Sequence, residues 1–469
     1  MPDPARSFTR SALAAALALH GTAAFSFAQT ACGSWTGLFD GLLGNIGRTS
    51  QTRVSDLLVF DAGDGPMLYM AGNFEVVVDS VFGEVRAPGL ARWDGERWSA
   101  VPGLDGPGLE LDARVITLEV FDDGTGPALY IGGEFTTAAG LEAMCIARWD
   151  GTTWSSFEGP GSPGLASKIT DIHFHDFGDG PSLYVAGAML EDLSPPALPV
   201  LRWDDGRWIR PGVNPPESGY GHDLASFDGH LYLSGGERML IEAERISGIA
   251  RFDGEDWSMP VGQNQRIVEF GSEFWPLLPI EMDGQDVLLA GGAFSILEGE
   301  QHLASAFAAW DGERWLSAKP DGHVSISTPT DFALFDDGFG WGLFMAGSQI
   351  QQRSSSAGVL RAGELQSLQG LNGGPGYAVV VHDDGSGPAL LVGGEFDDPT
   401  GRTPYLGRWQ PNERCPLDFN GDCRADMSDF LALKNLFDAG DPAADFDADG
   451  VLSVFDFLSY QNAFDLGCP

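Results

Sequence analysis

The sequence predicts a mainly β fold: a seven-bladed β-propeller closed by an amino-terminal strand, followed by a small α-helical domain. Three observations support this prediction. One unit recurs seven times at intervals of 47 to 61 residues, the amino terminus supplies an aromatic residue that the last copy lacks, and two acidic loops precede helices near the carboxyl end. We expect residues 1–28 to be a signal peptide, 29–414 the propeller and 415–469 the helical domain.

The repeat is clearest in residues 120–154, where a turn rich in aspartate and glycine separates two apolar stretches. A period of this size is typical of propellers and other arrays. Two small residues mark each copy: Ala71-Gly72, Gly132-Gly133, Ala186-Gly187, Gly235-Gly236, Gly291-Gly292, Ala346-Gly347 and Gly393-Gly394. Two aromatic residues around a tight turn follow in most copies: Trp93/Trp98, Trp149/Trp154, Trp203/Trp208, Phe252/Trp257 and Trp310/Trp315, with Leu360/Leu365 in the sixth.

Each unit reads as four short strands, and an isolated four-stranded sheet would leave apolar faces wet and edges unpaired. Arranging the units around an axis buries each face against the next unit. The seventh copy stops at Trp409 without a second aromatic residue, whereas Trp35 stands unpaired near the amino terminus. We therefore predict that Trp35 brings the missing outer strand to the seventh unit. Within a unit, we expect the apolar stretch 128–131 to be the strand nearest the axis.

Composition and charge indicate an exported protein. The 64 glycines and 29 prolines suit a turn-rich β chain. Arg6 and Arg10 precede a short apolar stretch at 11–19, and small side chains at 26–28 allow cleavage after Ala28. The apolar stretch is too short to span a bilayer, so we expect no membrane insertion and a secreted or cell-surface location. The net charge of −41 disfavours nucleic acids as partners.

Five cysteines in an exported chain allow two disulfides. Cys415 and Cys468 bracket the carboxy-terminal segment and form the favoured pair. Cys32 with Cys415 is the alternative, because the predicted closure brings those two regions together. Cys145 lies in a predicted strand, and we interpret it as a buried apolar residue.

Some repeated polar residues invite a chemical interpretation, but their regularity favours a structural one. Aspartate pairs recur in equivalent turns, where aspartate accepts backbone hydrogen bonds: Asp122/Asp123, Asp336/Asp337 and Asp383/Asp384. Arginines precede the first aromatic residue of several units, and we expect them to pair with acids of the neighbouring unit: Arg92, Arg148, Arg202, Arg251 and Arg408. His173 and His175 point to one face of a strand. Since no third metal ligand is evident, packing is the favoured interpretation for them.

The segments that leave the repeat pattern are the candidates for ligand binding: 190–199, 210–221, 261–275 and 298–305. Tyr220 and Trp275 are aromatic residues in these segments that could line a ligand groove. The array contains no nucleophile elbow, phosphate loop or zinc-protease helix motif. The sequence therefore predicts no catalytic residues in the propeller.

The paired glycines and the later tryptophan make the unit resemble the kelch type of β-propeller over about residues 30 to 410. The sequence departs from that family where Trp93, Trp149, Trp203 and Trp310 replace the more usual tyrosine. The resemblance implies the fold and says almost nothing about function.

Two acidic loops near the carboxyl end have the spacing of calcium-binding loops. Calcium seeks six to eight oxygens, and ligands at loop positions 1, 3, 5, 7, 9 and 12 surround one point, position 7 contributing a backbone carbonyl. The first loop offers Asp418, Asn420, Asp422, Arg424, Asp426 and Asp429. The second loop offers Asp445, Asp447, Asp449, Val451, Ser453 and Asp456. We predict two bound Ca²⁺ ions.

Each loop runs into a predicted helix, at 430–437 and 457–464. With aspartate at position 12 and no helix before the loop, residues 415–469 resemble a dockerin domain. The resemblance implies two calcium ions and docking onto a cohesin-like protein, often in polysaccharide-degrading complexes. Cys423 stands where the second loop has Gly450, a position that favours positive φ, so we expect weaker calcium binding at the first loop.

The partner-facing residues of a dockerin would be Met427 and Ser428 in the first copy and Val454 and Phe455 in the second. Because these residues differ between the copies, the sequence leaves the partner open between a cohesin-like protein and a cell-surface component. An exposed Phe455 would be an anchor for that partner.

The sequence favours a secreted, non-catalytic binding or scaffold protein, whose propeller presents a ligand-binding face for a molecule such as a carbohydrate. The alternatives are a polysaccharide-processing enzyme of the glycoside hydrolase type, tethered through the same module, and a module that serves only as a sorting or surface-retention tag. Carboxylates clustered at one mouth of the propeller channel would favour the enzyme. A mouth lined by turn residues and aromatic residues would favour binding.

Overall fold

The structure is a computed structural model. The predicted signal peptide, 1–28, and four of the five cysteines lie outside the residues that it describes, so the disulfide prediction stays a prediction. The described residues are 33–36, 41–43, 51–79, 81–106, 108, 110–157, 168–191, 194–213, 215–217, 219–236, 239–241, 244–245, 248–267, 273–282, 284–318, 328–337, 340–350, 355–361, 364–368, 370–371, 373–396, 405–411, 417–419 and 427–466.

Strands dominate the described part of the chain, which confirms the predicted mainly β class. The first half contains β1 (Gly33–Thr36), β2 (Gly41–Leu43), β3 (Arg53–Asp61), β4 (Pro66–Asn73), β5 (Val76–Asp79), β6 (Gly83–Arg86), β7 (Leu90–Trp93), β8 (Trp98–Ala100), β9 (Val115–Asp122), β10 (Pro127–Gly133), β11 (Thr137–Ala138), β12 (Leu141–Glu142), β13 (Ile146–Trp149), β14 (Trp154–Ser156), β15 (Lys168–His175), β16 (Ser182–Glu191), β17 (Ser194–Asp204) and β18 (Arg207–Ile209). The second half contains β19 (Gly221–Phe227), β20 (His230–Gly235), β21 (Leu240–Ile241), β22 (Glu244–Arg245), β23 (Ile249–Phe252), β24 (Trp257–Ser258), β25 (Gln265–Ile267), β26 (Glu273–Met282), β27 (Gln285–Glu298), β28 (Gln301–Trp310), β29 (Trp315–Ser317), β30 (Pro329–Asp336), β31 (Trp341–Ile350), β32 (Ser355–Arg361), β33 (Glu364–Ser367), β34 (Gly376–Asp383), β35 (Pro388–Gly394) and β36 (Leu406–Pro411).

These strands pair antiparallel into seven main sheets, which we number in chain order. Sheets 1 to 4 are β3-β4-β7-β8, β9-β10-β13-β14, β15-β16-β17-β18 and β19-β20-β23-β24. Sheets 5 to 7 are β26-β27-β28-β29 with β25 added to β27, β30-β31-β32-β33, and β34-β35-β36-β1. Short hairpins such as β5-β6, β11-β12 and β21-β22 lie between the second and third strands of sheets 1, 2 and 4.

The first strands of the seven sheets, which we call the inner strands, contact one another in chain order, and β34 of sheet 7 also contacts β3 of sheet 1. The expectation that residues 128–131 lie nearest the axis is therefore wrong, because they belong to β10, the second strand of sheet 2. Strand β10 is apolar because it is buried on both faces. The inner strand β9 alternates between buried and partly exposed residues, which its more polar sequence reflects.

The apolar residues form one core cluster at each junction between consecutive sheets. Leu129 and Trp149 of sheet 2, for example, pack with Phe60 and Tyr69 of sheet 1. Equivalent clusters join sheets 2 and 3, 3 and 4, 4 and 5, 5 and 6, and 6 and 7. A further cluster joins sheet 7 to sheet 1, where Leu391 packs with Val54. The burial of both faces of each sheet thus follows from the repeated apolar pattern.

Sheet 7 takes its fourth strand from the amino-terminal part of the chain, as the unpaired Trp35 predicts. Strand β1 is its outer strand and pairs antiparallel with β36, so that Trp35 lies opposite Trp409. Trp35 packs against the cluster between sheets 6 and 7. A side chain added at Gly407 would meet the Trp35 ring at 2.9 Å, so only glycine lets this ring lie on the backbone of β36.

The outer strands are tied to the preceding sheet by tryptophan indoles. Trp154 of sheet 2 donates its Nε1–H to the carbonyl of Pro102, which follows sheet 1, at 2.8 Å. Trp257 of sheet 4 and Trp315 of sheet 5 do the same with proline carbonyls that follow sheets 3 and 4. These recurring tryptophans therefore both fill the core and satisfy an otherwise buried donor.

The carboxy-terminal segment contains two helices, α1 (Met427–Ala439) and α2 (Val454–Leu466), with a short 3₁₀ turn at Pro442–Ala444 between them. Both helices begin three residues earlier than predicted. Their core consists of Leu417, Leu433, Ala444 and Tyr460, surrounded by partly buried aromatic residues. The Tyr460 hydroxyl donates to the carbonyl of Leu417 at 3.2 Å, which fixes the entry of the segment against α2.

Candidate functional site

The predicted aspartate pairs act in turns. The Asp122 carboxylate accepts backbone hydrogen bonds from Gly124 and Gly126 at 2.9 and 3.0 Å, and Asp383 does the same in sheet 7. In sheet 6, Asp337 is buried and lies 2.6 Å from Arg361. The predicted backbone hydrogen bonds are confirmed for the pairs of sheets 2 and 7.

Four of the five recurring arginines pair with acids of their own sheet, so the expected partner in the neighbouring unit is wrong for these four. Arg92 lies 3.2 Å from Asp64 and Arg408 lies 3.3 Å from Asp384, both acids standing in the first turn of the same sheet. The reason is geometric. The third strand of a sheet runs antiparallel to the second, so it ends next to the turn between the first and second strands.

The two histidines of sheet 3 pack against sheet 4. His173 Nε2 and His175 Nδ1 each lie 2.7 Å from the Ser226 hydroxyl. Both rings are buried, and burial lowers the pKa of His175. Because both imidazoles contact one serine hydroxyl of the neighbouring sheet, the structure supports a packing role for the two histidines.

Every inner strand has a bulge near its first residue, and the residue at the bulge differs sharply from one sheet to the next. The bulge residues, in sheet order, are Ser55, Ile116, Thr170, His222, Trp275, Thr330 and Tyr377. All seven are partly exposed. Four are small or aliphatic, whereas His222, Trp275 and Tyr377 carry rings. We call this end of the inner strands the mouth.

On one side of the mouth, rings and charges from sheets 7 and 1 meet. The Arg53 guanidinium lies over the Tyr377 ring, 5.2 Å from its centroid, and forms an ion pair with Glu395 at 3.3 Å. Burial and the Glu395 carboxylate raise the pKa of the Tyr377 hydroxyl, so that it stays protonated at neutral pH.

On the other side, sheets 2 to 5 contribute cations and aromatic rings. Arg114 forms an ion pair with Glu134 at 2.6 Å, and Lys168 Nζ lies 5.5 Å from the Tyr220 ring centroid. Burial lowers the pKa of Lys168, and the nearby Arg114 adds to this shift.

The His222 ring stands next to these groups and makes an edge contact with Trp275, with centroids 6.2 Å apart. Burial, followed by the charge of Lys168, lowers the pKa of His222 to about 4, so its imidazole is neutral at pH 7. Tyr220 and Trp275 were predicted as groove residues. The sequence did not single out the other mouth residues as ligand contacts, because they come from distant repeats.

Behind the bulges, four aspartates of the inner strands connect neighbouring sheets. One oxygen of each accepts a backbone hydrogen bond from the next sheet's inner strand. The donors are Leu118 to Asp56 at 2.7 Å, Leu224 to Asp171 at 2.9 Å, Leu277 to Asp223 at 2.6 Å and Val379 to Asp331 at 2.7 Å. The alignment of repeats contains a signal for three of them, since Asp56, Asp171 and Asp331 stand fifteen residues before the alanine of each small-residue pair.

Three of these carboxyl groups, those of Asp56, Asp171 and Asp331, have raised pKa values. Burial raises the pKa of Asp331 to about 7, and burial raises the pKa of Asp56 well above its usual value, with the Asp331 charge second. For Asp171, burial again comes first and the Asp223 carboxylate second. Because their oxygens accept backbone hydrogen bonds from the next sheet, the geometry supports a structural role for these aspartates.

The second predicted calcium loop brings its first three carboxylates together. Ligand atoms of Asp445, Asp447 and Asp449 all lie within 4.8 Å of one another, and Gly450 has the positive φ of 84° that the predicted turn requires. The Asp445 carboxylate accepts backbone hydrogen bonds from Asp449 and Gly450. This donor set, three hard oxygens on a tight turn, fits Ca²⁺.

The end of the second loop is anchored to α2. The buried Asp456 carboxylate accepts backbone hydrogen bonds from Ser453 at 2.7 Å and Phe446 at 2.8 Å, and these bonds lower its pKa. The pKa of Asp447 is raised by desolvation first and by the neighbouring carboxylates second. Crowding of acids is the electrostatic strain that a cation would relieve. Val451 is exposed, at position 7.

The first predicted loop is described only at its two ends. Asp418 and Asp429 lie within the described residues, and Asp429 is buried at the start of α1 like its counterpart Asp456. Asn420, Asp422, Cys423, Arg424 and Asp426 lie outside the described residues, so their predicted roles stay predictions.

Comparisons with known proteins give no family for this chain. No protein-family model and no curated protein matches it. Among solved structures, Raptor from Chaetomium thermophilum is similar at 10% identity and a TM-score of 0.37, over 82% of this chain and 29% of that one. The extracellular domain of a putative hybrid two-component system from B. thetaiotaomicron is similar at 10% identity and a TM-score of 0.30, over 77% of this chain and 53% of that one. This chain therefore spans well under two thirds of either neighbour.

Among the described residues, neither helix has the length and apolar character needed to cross a membrane.

Proposed function

We propose that this chain is a secreted, non-catalytic binding protein. Its seven sheets are the blades of a closed β-propeller that binds a small ligand at the mouth, and its carboxy-terminal helices form a calcium-stabilised attachment module. The observation that carries the binding function is the break in repeat symmetry at the bulges. Structural residues recur from sheet to sheet, whereas the rings of His222, Trp275 and Tyr377 do not.

Closure of the propeller is supported by contacts at the junction of the two chain ends. The inner strands of sheets 7 and 1 touch, a core cluster joins these sheets, and Trp35 lies opposite Trp409. In a circular array every blade buries both faces, and only short edges remain. An open stack of seven sheets would leave the first and last faces exposed.

Binding is favoured over catalysis because two carboxylates near the mouth are already engaged. Glu395 pairs with Arg53, and Glu134 pairs with Arg114. A carboxyl group acts as a general acid or base only where it can exchange a proton with the substrate. The three rings at the bulges and the cations near them suit recognition of a bound molecule.

The attachment module is proposed to be dockerin-like. Met427 and Val454 occupy equivalent positions at the start of the two helices and are 71% and 63% exposed. Leu431 and Leu458 lie one turn further along and are exposed as well, and Phe455 is 61% exposed. Two equivalent apolar patches at calcium-stabilised helix starts suit docking onto a cohesin-like protein or another cell-surface component.

A glycan array probed with the full-length chain tests the binding function. We expect the wild type to bind a small set of carbohydrates, and we expect Trp275→Leu to lose that binding because the ring at the mouth is gone. Trp341→Leu is the matched control, since Trp341 lies at the opposite end of sheet 6 and is also partly exposed. Equal binding by wild type and Trp275→Leu would argue against a site at the mouth.

A further inference from the structure

We propose that the mouth recognises a small monocarboxylate that carries a ring, with the carboxylate at Lys168 and the ring against Trp275. This inference rests on the proposed binding function and adds the chemical class of the ligand. It depends on the charged side chains at the mouth, on the aromatic rings beside them and on the net charge of the chain.

The charges at the mouth leave one cation for a ligand. Of the three basic residues that the structure describes there, Arg53 and Arg114 are paired with Glu395 and Glu134. Within the described residues, Lys168 has no carboxylate at salt-bridge distance and lies over the Tyr220 ring. Its ammonium group is desolvated, which is unfavourable for folding, and the nearby Glu134 carboxylate is already paired with Arg114. A ligand carboxylate would supply a counterion at closer range.

The rings at the mouth define the other half of the ligand. Lys168 lies over Tyr220, which directly precedes the strand that carries His222, and its charge lowers the pKa of that histidine. His222 in turn makes an edge contact with Trp275. The cation and the indole are thus neighbours separated by one neutral imidazole. Trp275 is partly exposed, so it can take a flat ring, while the imidazole can exchange hydrogen bonds with polar groups of that ring.

The rest of the molecule limits the charge of the ligand. With a net charge of −41, the surface repels polyanions over distances of about a Debye length, near 10 Å in 0.1 M salt. A ligand with a single carboxylate meets the local cation without facing much of this repulsion. We therefore infer one carboxylate and exclude long acidic polymers.

Calorimetric titration of the full-length chain tests the proposal with four acids: glucuronate, galacturonate, benzoate and cyclohexanecarboxylate. The methyl ester of each acid is its neutral counterpart. We expect at least one acid to bind about tenfold or more tightly than its ester, which is the loss typical of one charge-assisted hydrogen bond. Preference for the uronates or for benzoate then separates a sugar ligand from an aromatic one.

Variants show whether Lys168 carries that preference. We expect Lys168→Met to bind acid and ester alike and Lys168→Arg to keep the preference for the acid. Lys434→Met is the matched control, because Lys434 lies on α1 beside Asp438. Thermal unfolding of each variant establishes that it is folded, and the retained preference of Lys168→Arg excludes a purely structural effect.

The outcomes separate the ligand class from the binding function. If esters or neutral glycans bind through Trp275 and the acids are not preferred, the mouth is a binding site and the carboxylate inference is wrong. If an acid is preferred but Lys168→Met retains the preference, the assignment of Lys168 is wrong. If no acid or ester binds and no glycan responds to Trp275→Leu, both the inference and the proposed function fail.

Discussion

The four inner-strand aspartates show how one side chain can serve two strands. A bulge frees a backbone N–H from the ladder, and the aspartate satisfies it. In sheet 6, one Asp331 oxygen accepts from its neighbour Phe332 and the other from Val379 of sheet 7. Asparagine has only one acceptor oxygen, so it cannot make both bonds. The sequence signal for these residues is weaker than for the paired acids, because each inner-strand aspartate stands alone.

The Asp331 carboxyl group predicts a pH dependence of stability. Its pKa of about 7 lies above the value near 3.9 of an unfolded chain, so the folded state binds the proton more tightly. This contribution to the free energy of unfolding is fully present below about pH 4 and is lost as the pH rises through 7. We expect Asp331→Asn to lose less stability than the wild type between pH 5 and 8, measured by urea unfolding.

Asp228→Asn is the control for that measurement. Asp228 is an exposed turn residue with a φ of 48°, a conformation that asparagine also adopts. We expect this variant to follow the wild-type pH profile. A parallel profile for Asp331→Asn would show that the Asp331 proton does not contribute to the pH dependence.

Individual strands and turns were largely predictable, because alternation and Asp-Gly turns are local signals. The order of strands within a sheet was not predictable from such local signals. Strands β9 and β10 differ in how far neighbouring sheets cover them, and this depends on residues that are distant in sequence. The mouth was equally hidden: Arg53 and Glu395 form an ion pair across 342 residues of sequence. The cluster of acidic side chains in the carboxy-terminal loop, in contrast, was predictable because its residues are contiguous.

The position of strand β1 predicts that truncating one of its side chains lowers the free energy of unfolding substantially. Trp35 is partly buried between β36 and the cluster of sheets 6 and 7. We expect Trp35→Ala to lower the free energy of unfolding by about 3 kcal/mol, the low end for truncating a buried aromatic residue. Chemical denaturation followed by tryptophan fluorescence measures this value.

Leu43→Ala is the comparison for strand β1. Leu43 lies in the same amino-terminal segment but is 50% exposed on β2, so its truncation is expected to change stability by less than about 0.5 kcal/mol. If Trp35→Ala unfolds like Leu43→Ala, the amino-terminal strand does not close the propeller.

At the scale of the whole molecule, the chain contains two kinds of core. The clusters of the seven sheets follow one another from sheet 1 to sheet 7, whereas the helical core draws only on residues from Leu417 to Ala463. A core this small gives marginal stability without a further constraint. Metal binding to a folded loop supplies such a constraint, because the unfolded chain has no formed site.

Calorimetry of the full-length chain should therefore show two transitions, of which only the smaller responds to calcium. A concentration of Ca²⁺ one hundred times the dissociation constant stabilises the folded loop by about 2.7 kcal/mol. Asp447→Asn removes one of the three clustered carboxylates and should abolish the shift, while Asp438→Asn, on the exposed side of α1, should retain it. A calcium response of the larger transition would place the metal in the sheets. No response of either transition would leave the acidic loop without a metal, and the attachment module would then need another source of stability.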